Sequence, residues 1–376
     1  MNIGLVFGWS SVEHDISIIS AYVVAKEIKQ IEEYKIFYIY ISSEGKRFLI
    51  DKFDNIGKIK ADSLTDKQEL FLDLTKIGKL HLIKKGFTNK HIDIDLVFPV
   101  MHWLRWEDGT IQWLCELLKI PFASTSCLAS AVWMNKKLMK DVFKSNAMPL
   151  IEYICFSKDE KIDKDTIIKQ IGFPLFVKPT SWWSSIGVSK VNRQEELDDA
   201  IELAFYYDNE IMIEKSVENL IELNCSAMEM DGEIVSTLVE QPITQKDFLS
   251  FEAKYIDAGG WSMSGIKDGV KIPAEIPEYI AKQVQEGTKK IYKILECNGW
   301  APRIDRLYDQ KNDKLYVNEI NCIPGSLQLH LRERSWHGKT DVIQELIKTA
   351  VMTCKKRQVH IDFQSNIINY STTFNK

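Results

Sequence analysis

Two polar pairs near the carboxyl-terminal end of the sequence have the residue types and spacing of a metal site. The segments APRIDRLYD and KLYVNEINCI are each typical of a strand, in which side chains alternate between two faces. Arg303 and Asp305 therefore share one face of the first strand. Glu319 and Asn321 share one face of the second strand.

The register of this hairpin decides whether the two pairs meet. A turn centred on Asn312 would place Asp305 opposite Glu319. The same register would place Arg303 opposite Asn321. Carboxylate and amide oxygens suit Mg²⁺, which binds through one or two carboxylates and completes its shell with water and substrate phosphates. The alternative is a surface patch of salt bridges, and the four residues taken alone favour neither interpretation.

Lysine residues that could bind phosphate accompany this patch. Lys178 ends the strand-like run FPLFVKP, and Lys136 lies in a helical stretch before it. Glu214 and Lys215 end the later strand-like run EIMIEK. Each lysine taken singly is most simply a solvated surface residue. Placed beside the hairpin carboxylates, the lysines favour a metal site over a surface patch of salt bridges.

The segment SWWSSIGVSK, residues 181–190, has the serine and glycine content of a phosphate-binding loop. Its two tryptophans are anomalous, because backbone N–H groups approach an anion closely only where glycine removes the side chain. The chain has 18 glycines and ten tryptophans among 376 residues, so glycine is about 5%, below the usual value of about 7%. The whole chain is therefore short of glycine and contains many tryptophans, as the loop does.

Three segments of different pattern must position these residues. Residues 1–124 contain the strand-like runs IGLVFG, YKIFYIYIS and IDLVFPVM, which predict a parallel α/β domain with ligands at the carboxyl ends of its strands. Residues 125–213 predict a small α+β lobe, in which SCLASAVWMNKKLMKDVFKSN is a single helix. Residues 214–376 predict a larger lobe with the metal hairpin, the long helix EYIAKQVQEGTKKIYKIL and a polar tail.

Composition limits the partners of the protein. The formal net charge is −5 with charges of both signs interspersed, so we expect no basic surface for nucleic acid or an anionic membrane. The seven cysteines include no C-x-x-C pair, which is typical of free thiols in a reducing compartment. No apolar run reaches the ~18 residues of a spanning helix. We therefore expect a cytoplasmic protein that binds neither nucleic acid nor membrane.

Several motifs occur in the order found in one enzyme family. FGWSSVEHDISIIS and VFPVMHWLRWEDGTIQWLCELLKIPF precede KPTSWWSSIGVSKV, FEAKY, IPA, APRID and NEINCIPG, and the series spans residues 3 to about 336. It resembles the D-alanine–D-alanine ligase family. The resemblance implies a pre-ATP-grasp α/β domain followed by a two-lobed ATP-grasp fold. It also implies a homodimer that ligates two D-alanines through an acyl phosphate, with ATP, for peptidoglycan precursors.

The resemblance assigns the two amino-acid substrates to separate segments. Glu13 would anchor the ammonium group of the first D-alanine, and His102 would line its pocket. A helix capping box formed by Ser10 and Glu13 is the alternative for Glu13. His330, followed by Leu331, stands where many family members bind the carboxylate of the second substrate. D-alanine, D-serine and D-lactate all stay open as that second substrate.

The resemblance also implies an ATP site with two Mg²⁺ or Mn²⁺ ions. Lysines would contact the phosphates, and residues at and after the EIMIEK strand would frame adenine and ribose. The implied metal ligands are Asp305, Glu319 and Asn321. The implied ATP-binding residues are Lys136, Lys178, Ser185, Glu214, Lys215, Val217, Glu222 and Lys254.

Catalytic roles follow from the same resemblance. Arg303 and the backbone N–H of Gly325 would stabilise the oxyanion of the tetrahedral intermediate, in which the second substrate displaces phosphate. Ser184 would hydrogen-bond toward Glu13 or the substrate. Tyr255 would lie on a loop that closes the site.

Tryptophans stand at positions where the family pattern has glycine. Forcing a bulky residue into a glycine conformation costs ~1–3 kcal/mol. Several such sites would together approach the whole stability of a fold, which is about 5–15 kcal/mol. We hypothesise that a glycine codon has been read as tryptophan. The tryptophans concerned are Trp9, Trp103, Trp106, Trp113 and Trp183.

Three arginines give this hypothesis a second support. An aromatic side chain would suit Arg105, Arg306 and Arg332, as though tryptophan codons had been read as arginine. If the tryptophans are real, an inactive ATP-grasp scaffold is the alternative, although retention of the charged site residues argues against it. A third alternative is an ATP-grasp ligase for another acid and amine, against which the motifs EHD and EDGTIQ argue.

Overall fold

The computed structural model describes most of the chain. The described residues are 1–56, 68–84, 89–102, 107–182, 185–217, 219–243, 269–297, 300, 302–336 and 338–357. Several predicted positions lie outside them, namely Trp103, Arg105, Trp106, Trp183, Ser184, Lys254 and Tyr255. Among the described residues, no helix is both long and apolar enough to cross a membrane.

The amino-terminal segment is built on a mostly parallel sheet, as predicted. The strand order is β3-β2-β1-β7, with β1 parallel to β2 and β7 and with β3 antiparallel at the edge. Strands β4, β5 and β6 form a separate antiparallel sheet. The elements are β1 (Asn2–Gly8), α1 (His14–Ile28), β2 (Lys35–Ile41), β3 (Arg47–Ile50), β4 (Leu70–Asp73), β5 (Leu80–Lys84), β6 (Lys90–Ile94) and β7 (Leu96–Pro99).

The middle segment is an antiparallel sheet with helices. Its strand order is β10-β9-β11-β8. Helix α2 (Thr110–Leu117) precedes this segment, at the end of the amino-terminal segment. The elements that follow are α3 (Cys127–Met134), α4 (Lys136–Ser145), β8 (Tyr153–Ser157), α5 (Lys164–Gln170), β9 (Leu175–Pro179), β10 (Ser189–Val191), α6 (Leu197–Tyr207) and β11 (Glu210–Lys215).

The single helix predicted from SCLASAVWMNKKLMKDVFKSN is wrong, because two helices occupy this stretch. Asn135 breaks it with an extended conformation, φ −111° and ψ 109°. Its side chain accepts a hydrogen bond from the backbone N–H of Leu138 and so caps α4. The break places Lys136 at the first position of the second helix.

The last segment contains the predicted hairpin in a second antiparallel sheet. Its strand order is β13-β12-β16-β17. Strand β12 was not predicted, because polar residues interrupt its apolar pattern. The elements are β12 (Leu220–Met230), β13 (Glu233–Ser236), β14 (Gln241–Pro242), β15 (Val270–Lys271), α7 (Glu278–Ile294), β16 (Arg303–Asp309), β17 (Lys314–Asn321), α8 (Leu329–Ser335) and α9 (Lys339–Lys356).

Hydrophobic packing joins the first and last segments. One cluster of buried side chains combines the amino-terminal sheet with residues of α3, α4, α7, α9 and the β16–β17 hairpin. A second cluster lies within the sheet of β8 to β11 and helices α5 and α6. A third, smaller cluster lies between β12 and α7. The predicted domain boundaries stay predictions.

Candidate active site

The hairpin of β16 and β17 brings the predicted metal ligands together. Asp305 pairs with Glu319 in the strand register, as predicted. Arg303 pairs with Asn321, also as predicted. The two carboxylates, the amide and the guanidinium therefore lie on one face of the sheet.

A one-residue bulge on β17 produces this register. Next to the Asp305–Glu319 pair, Arg306 pairs with Val317, so Asn318 is an extra residue. The extra residue returns the Glu319 side chain to the face that carries Asp305. A regular hairpin with the same turn would pair Asp305 with Asn318 and turn Glu319 away. The bulge is therefore part of the site.

The Asp305 carboxyl is buried among other acidic groups. Burial raises the pKa of Asp305, and the positive charge of Arg303 lowers it. The carboxylates of Glu222 and Glu319 raise it further, so that the pKa is about 7. Arg303 Nη2 donates to Asp305 Oδ2 at 2.6 Å, whereas Asp305 Oδ1 is buried without a hydrogen-bond partner among the described residues. A divalent cation would neutralise the cluster and occupy the unpartnered oxygen. The residues therefore fit the metal that the resemblance implies.

The ligand set needs the amide of Asn321 as well as the carboxylates. Within the described ranges, no group of three or more histidine, cysteine, aspartate or glutamate side chains is arranged to hold a metal by itself. Glu222 was predicted to be one of the residues that frame adenine and ribose, and the structure places it on β12 opposite Leu307. It therefore faces the same side of the sheet as Asp305.

A buried charge cluster lies between α4 and the sheet of β9 and β11. Lys140 and Lys178 each donate to one carboxylate oxygen of Glu214. Burial would raise the pKa of Glu214, but the charges of the two lysines outweigh it and lower the pKa to about 2. Lys136 donates to the backbone carbonyl oxygen of Trp182. The structure thus brings the predicted residues Lys178 and Glu214 together.

The Lys140–Lys178–Glu214 cluster carries a net positive charge, because two ammonium groups share one carboxylate. Burying an excess charge is costly unless an opposite charge compensates it. The Lys140 side chain is 1% exposed, whereas the Lys178 side chain is 13% exposed. Lys178 is therefore the lysine that a ligand can reach, and the cluster suits a phosphate group.

The other predicted ATP-binding residues lie around the same sheet. Lys215 follows Glu214 on β11 and points to the opposite face, where its ammonium group lies 3.5 Å from Glu152. Its side chain therefore does not join the buried cluster. Ser185 has a left-handed backbone with φ 62°, and Val217, just after β11, is partly buried.

Glu13 and His102 lie together in the amino-terminal segment. His102 Nδ1 is 4.0 Å from Glu13 Oε2, and both side chains are buried. Burial lowers the pKa of His102, and the charge of Glu13 opposes this shift. Helix α1 begins at His14, and the Glu13 side chain makes no capping hydrogen bond, so the capping box of Ser10 and Glu13 does not form. The role of Glu13 in substrate binding stays a prediction.

A left-handed turn follows Gly325 and contacts this region. Ser20 Oγ lies 3.5 Å from His102 Nε2 and accepts a hydrogen bond from the Ser326 backbone N–H at 2.8 Å. The last three residues of the turn Gly325–Gln328 have φ values of 47°, 51° and 46°. A left-handed conformation costs ~1–2 kcal/mol for a residue other than glycine. Such strain is typical of functional sites, and the predicted role of the Gly325 N–H stays a prediction.

His330 and Leu331 follow this turn on α8 but differ in exposure. His330 Nε2 lies 2.5 Å from Glu240 Oε2, and the His330 side chain is 28% exposed. Leu331 is fully buried and so presents no exposed surface to a ligand. The binding roles of both residues stay predictions.

Three residues of the site were missed by sequence reasoning. Lys140 lies four positions after Lys136 on the same helix face, a spacing that could have identified it. Glu240 and Glu107 gave no local pattern, because their partners are distant in the chain. Glu107 Oε1 accepts a hydrogen bond from the backbone N–H of Ile323 at 3.0 Å and so holds the segment after β17.

Comparisons with known proteins agree with this geometry. The family model described as D-ala D-ala ligase N-terminus matches residues 2–125, and the model described as D-ala D-ala ligase C-terminus matches residues 142–352. The chain belongs to the D-alanine–D-alanine ligase family. The D-alanine–D-alanine ligase of Thermosipho melanesiensis is 33% identical over 368 residues, 98% of each chain. That of Caldicellulosiruptor bescii is 35% identical and covers 93% of this chain and 95% of its own.

Solved structures of the family have the same fold. The D-alanine–D-alanine ligase of Coxiella burnetii superposes with a TM-score of 0.80 at 24% identity, covering 95% of this chain and 96% of its own. The VanG D-Ala:D-Ser ligase of Enterococcus faecalis superposes with a TM-score of 0.74 at 27% identity, covering 93% of this chain and 99% of its own. The predicted fold class, an α/β domain followed by an ATP-grasp fold, is confirmed.

Residues that depart from the family pattern differ in their surroundings. Trp9 has φ 84°, in the left-handed region that favours glycine. Trp113, by contrast, lies in helix α2 and is 57% exposed, so its backbone needs no glycine. Arg306 and Arg332 are buried in the protein, and burial lowers the pKa of Arg306 to about 10 and that of Arg332 to about 9.

Proposed function

We propose that this protein joins two molecules of D-alanine, consuming ATP and releasing ADP and phosphate. The observation that carries the proposal is the hairpin register, in which Asp305 faces Glu319 and Arg303 faces Asn321. The names of the curated relatives, D-alanine–D-alanine ligase, support this reaction. They also favour D-alanine over D-serine or D-lactate as the second substrate.

The charged residues divide the reaction between two regions. Lys178, with Lys136 nearby, binds the phosphates of ATP, and Glu214 holds Lys178 until they arrive. Asp305, Glu319 and Asn321 would hold Mg²⁺ or Mn²⁺. When bound, these ions supply the positive charge that neutralises the phosphoryl oxygens during transfer to the carboxylate of the first D-alanine.

The second half of the reaction needs an oxyanion site. Arg303 and the backbone N–H of Gly325 stabilise the negative charge on the former carboxyl oxygen when the second D-alanine attacks the acyl phosphate. Glu13 anchors the ammonium group of the first D-alanine, and His102 lines its pocket. Burial of Glu13 and His102 excludes water, which would otherwise hydrolyse the acyl phosphate.

The cellular setting follows from this reaction. The product is a precursor of peptidoglycan, and ATP supply places the enzyme in the cytoplasm. The seven cysteines are free thiols, which suits a reducing compartment. A homodimer is expected from family membership.

The test of this function is product formation by the purified protein with ATP, Mg²⁺ and D-alanine, followed by mass spectrometry. We expect D-alanyl-D-alanine and an equal amount of ADP. Asp305→Asn should lower the rate about 100-fold or more, because it removes a metal ligand. Glu286→Gln, at an exposed salt bridge on α7, is the matched control and should leave the rate unchanged. ADP release without dipeptide would contradict the proposal.

A further inference from the structure

A buried carboxylate next to the hairpin collects three hydrogen-bond donors from three elements. Glu240 Oε1 accepts from Asn224 Nδ2 at 3.1 Å and from Gln328 Nε2 at 3.3 Å. Glu240 Oε2 lies 2.5 Å from His330 Nε2. One side chain therefore ties strand β12, the left-handed turn and helix α8 together.

The Glu240 carboxylate fixes which nitrogen of His330 carries a proton. Burial would raise the pKa of Glu240, but the hydrogen bond from His330, with smaller contributions from Asn224 and Arg303, lowers it. An ionised carboxylate only accepts hydrogen bonds, so Nε2–H of His330 is the donor. The other ring nitrogen, Nδ1, is left for a ligand. The Glu240 side chain is 4% exposed and the His330 side chain 28%, so a ligand can reach only the histidine.

The Glu240–His330 pair borders the two parts of the site that act on the acyl phosphate. Asn224, which donates to Glu240, lies directly opposite Asp305 in the pairing of β12 with β16. Gln328, the second donor, ends the turn that begins at Gly325. Arg303 is the charged group on β16 close enough to act on Glu240. The pair therefore lies where the second substrate must approach.

The second substrate brings a chemical requirement that the residues considered so far do not meet. The amine of D-alanine is an ammonium ion near neutral pH, and an ammonium ion has no lone pair with which to attack. We propose that His330, positioned by Glu240, accepts this proton at Nδ1 and is a general base of the ligation step. This inference rests on the proposed function.

The step balances in atoms and charge. The ammonium proton moves to His330 Nδ1, and the resulting imidazolium is stabilised by Glu240. The freed lone pair forms the new C–N bond at the acyl phosphate carbonyl. When the tetrahedral intermediate collapses, the bond from carbon to the phosphate oxygen breaks, and the leaving phosphate takes the second amine proton. The imidazolium then returns its proton to solvent.

The first variant is His330→Gln, which keeps an N–H donor for Glu240 but has no basic nitrogen. With D-alanine, we expect dipeptide formation to fall about 100-fold, the usual contribution of a general base. The decisive probe is β-fluoro-D-alanine offered as the second substrate, because fluorine makes its amine less basic and more often deprotonated. The loss caused by His330→Gln should then shrink roughly tenfold or more. A residue that only supports the fold would lower both rates alike.

The second variant is Glu240→Gln, which keeps the shape of the side chain but removes its charge. We expect a lower rate of dipeptide formation with D-alanine and a smaller loss of rate with β-fluoro-D-alanine. The KM for ATP should be unchanged. Glu229→Gln is the matched control on β12, the strand that carries Asn224, and Glu229 pairs there with Lys356 at 3.4 Å. This control should leave both rates unchanged.

The possible results separate the inference from the proposed function. If the unaltered protein forms no D-alanyl-D-alanine, the proposed function itself fails. If it forms the dipeptide and His330→Gln lowers both rates equally, His330 binds the carboxylate of the second substrate and the general-base role is overturned. If the loss is selective for D-alanine, the general-base role is supported.

Discussion

At the scale of single residues, the most unusual position is Trp9. Its φ of 84° follows Gly8 at φ 98°, and its backbone N–H donates to the Ile41 carbonyl at 2.7 Å. A bulky side chain is strained in this conformation, whereas glycine adopts it freely. The observation supports the hypothesis that a glycine codon has been read as tryptophan at this position. Trp113, whose backbone is helical, gives it no such support.

Trp9→Gly should therefore stabilise the protein by ~1–3 kcal/mol, measured as the free energy of unfolding in urea. Trp113→Gly is the control, and it should instead destabilise the protein by about 1 kcal/mol, because glycine is unfavourable in a helix. Mass spectrometry of the protein from its native source gives the residue itself. A lower stability of Trp9→Gly together with a native tryptophan at this position would contradict the hypothesis.

Arg306 gives a second prediction at this scale. Its side chain is 2% exposed, and Nε and Nη2 have no hydrogen-bond partner among the described residues. A buried charge without an acidic partner is costly, and an apolar replacement of similar length removes that cost. Arg306→Met should raise the free energy of unfolding by roughly 1–4 kcal/mol. Arg193→Met, at an exposed salt bridge, should change it by less than ~0.5 kcal/mol; equal effects would count against this account.

At the scale of elements, the bulge in β17 decides the metal site. Asn318 is the extra residue that returns Glu319 and Asn321 to the face of Asp305. Inserting one alanine after Asn318 should keep the pairing of Arg306 with Val317 but move Glu319 and Asn321 on by one position, which turns both side chains to the opposite face. We expect ligase activity to fall about 100-fold or more, because the metal ligands no longer converge.

Asn318→Ala is the control for this insertion, since it keeps the backbone length and changes only the side chain. It should retain most of the activity. Thermal unfolding of both variants distinguishes loss of the site from loss of the fold. An insertion variant that is folded and fully active would show that this register is not needed.

At the scale of the whole molecule, the cluster of Lys140, Lys178 and Glu214 connects two packing regions. Helix α4, which carries Lys140, contributes Met139 and Phe143 to the first hydrophobic cluster. Strands β9 and β11, which carry Lys178 and Glu214, contribute to the second cluster. The ion pairs therefore cross from one cluster to the other.

This connection predicts a dependence of stability on pH. The pKa of Glu214 is about 2 in the folded protein against 4.5 for the free group. A lowered folded-state pKa gives stability that is present above pH 4.5 and is lost as the pH falls toward 2. The contribution is about 3 kcal/mol at neutral pH. The free energy of unfolding in urea, measured across this pH window, should show the loss. Glu214→Gln should abolish this dependence of stability on pH.

The Glu214→Gln variant should also be less stable at neutral pH, because Lys140 and Lys178 lose their shared carboxylate. Glu210→Gln is the control, because Glu210 lies on the same strand and pairs with Lys137. Its free energy of unfolding should depend on pH as that of the wild type does. If the free energy of unfolding of Glu214→Gln changed with pH as in the wild type, the assignment of this pH dependence to Glu214 would be contradicted.

The sequence by itself determined the family, the fold class and one face of the hairpin. Motif order identified the family, and period-two alternation placed Arg303 with Asp305 and Glu319 with Asn321. The predicted register is right although its premise is not, because Asp309 pairs with Lys314 and the turn is not centred on Asn312. The extra residue of the bulge shifts the register by one position, so that Asp305 still pairs with Glu319. No local sequence pattern reveals this bulge.

Only the tertiary structure decided which buried charges meet. Strand β12 and the break at Asn135 escaped prediction because polar residues blur the apolar period on which element assignment depends. Glu240 finds donors 16, 88 and 90 residues away in the chain. Residues so far apart are brought together by packing of the whole chain, whereas local sequence periodicity describes only one element at a time.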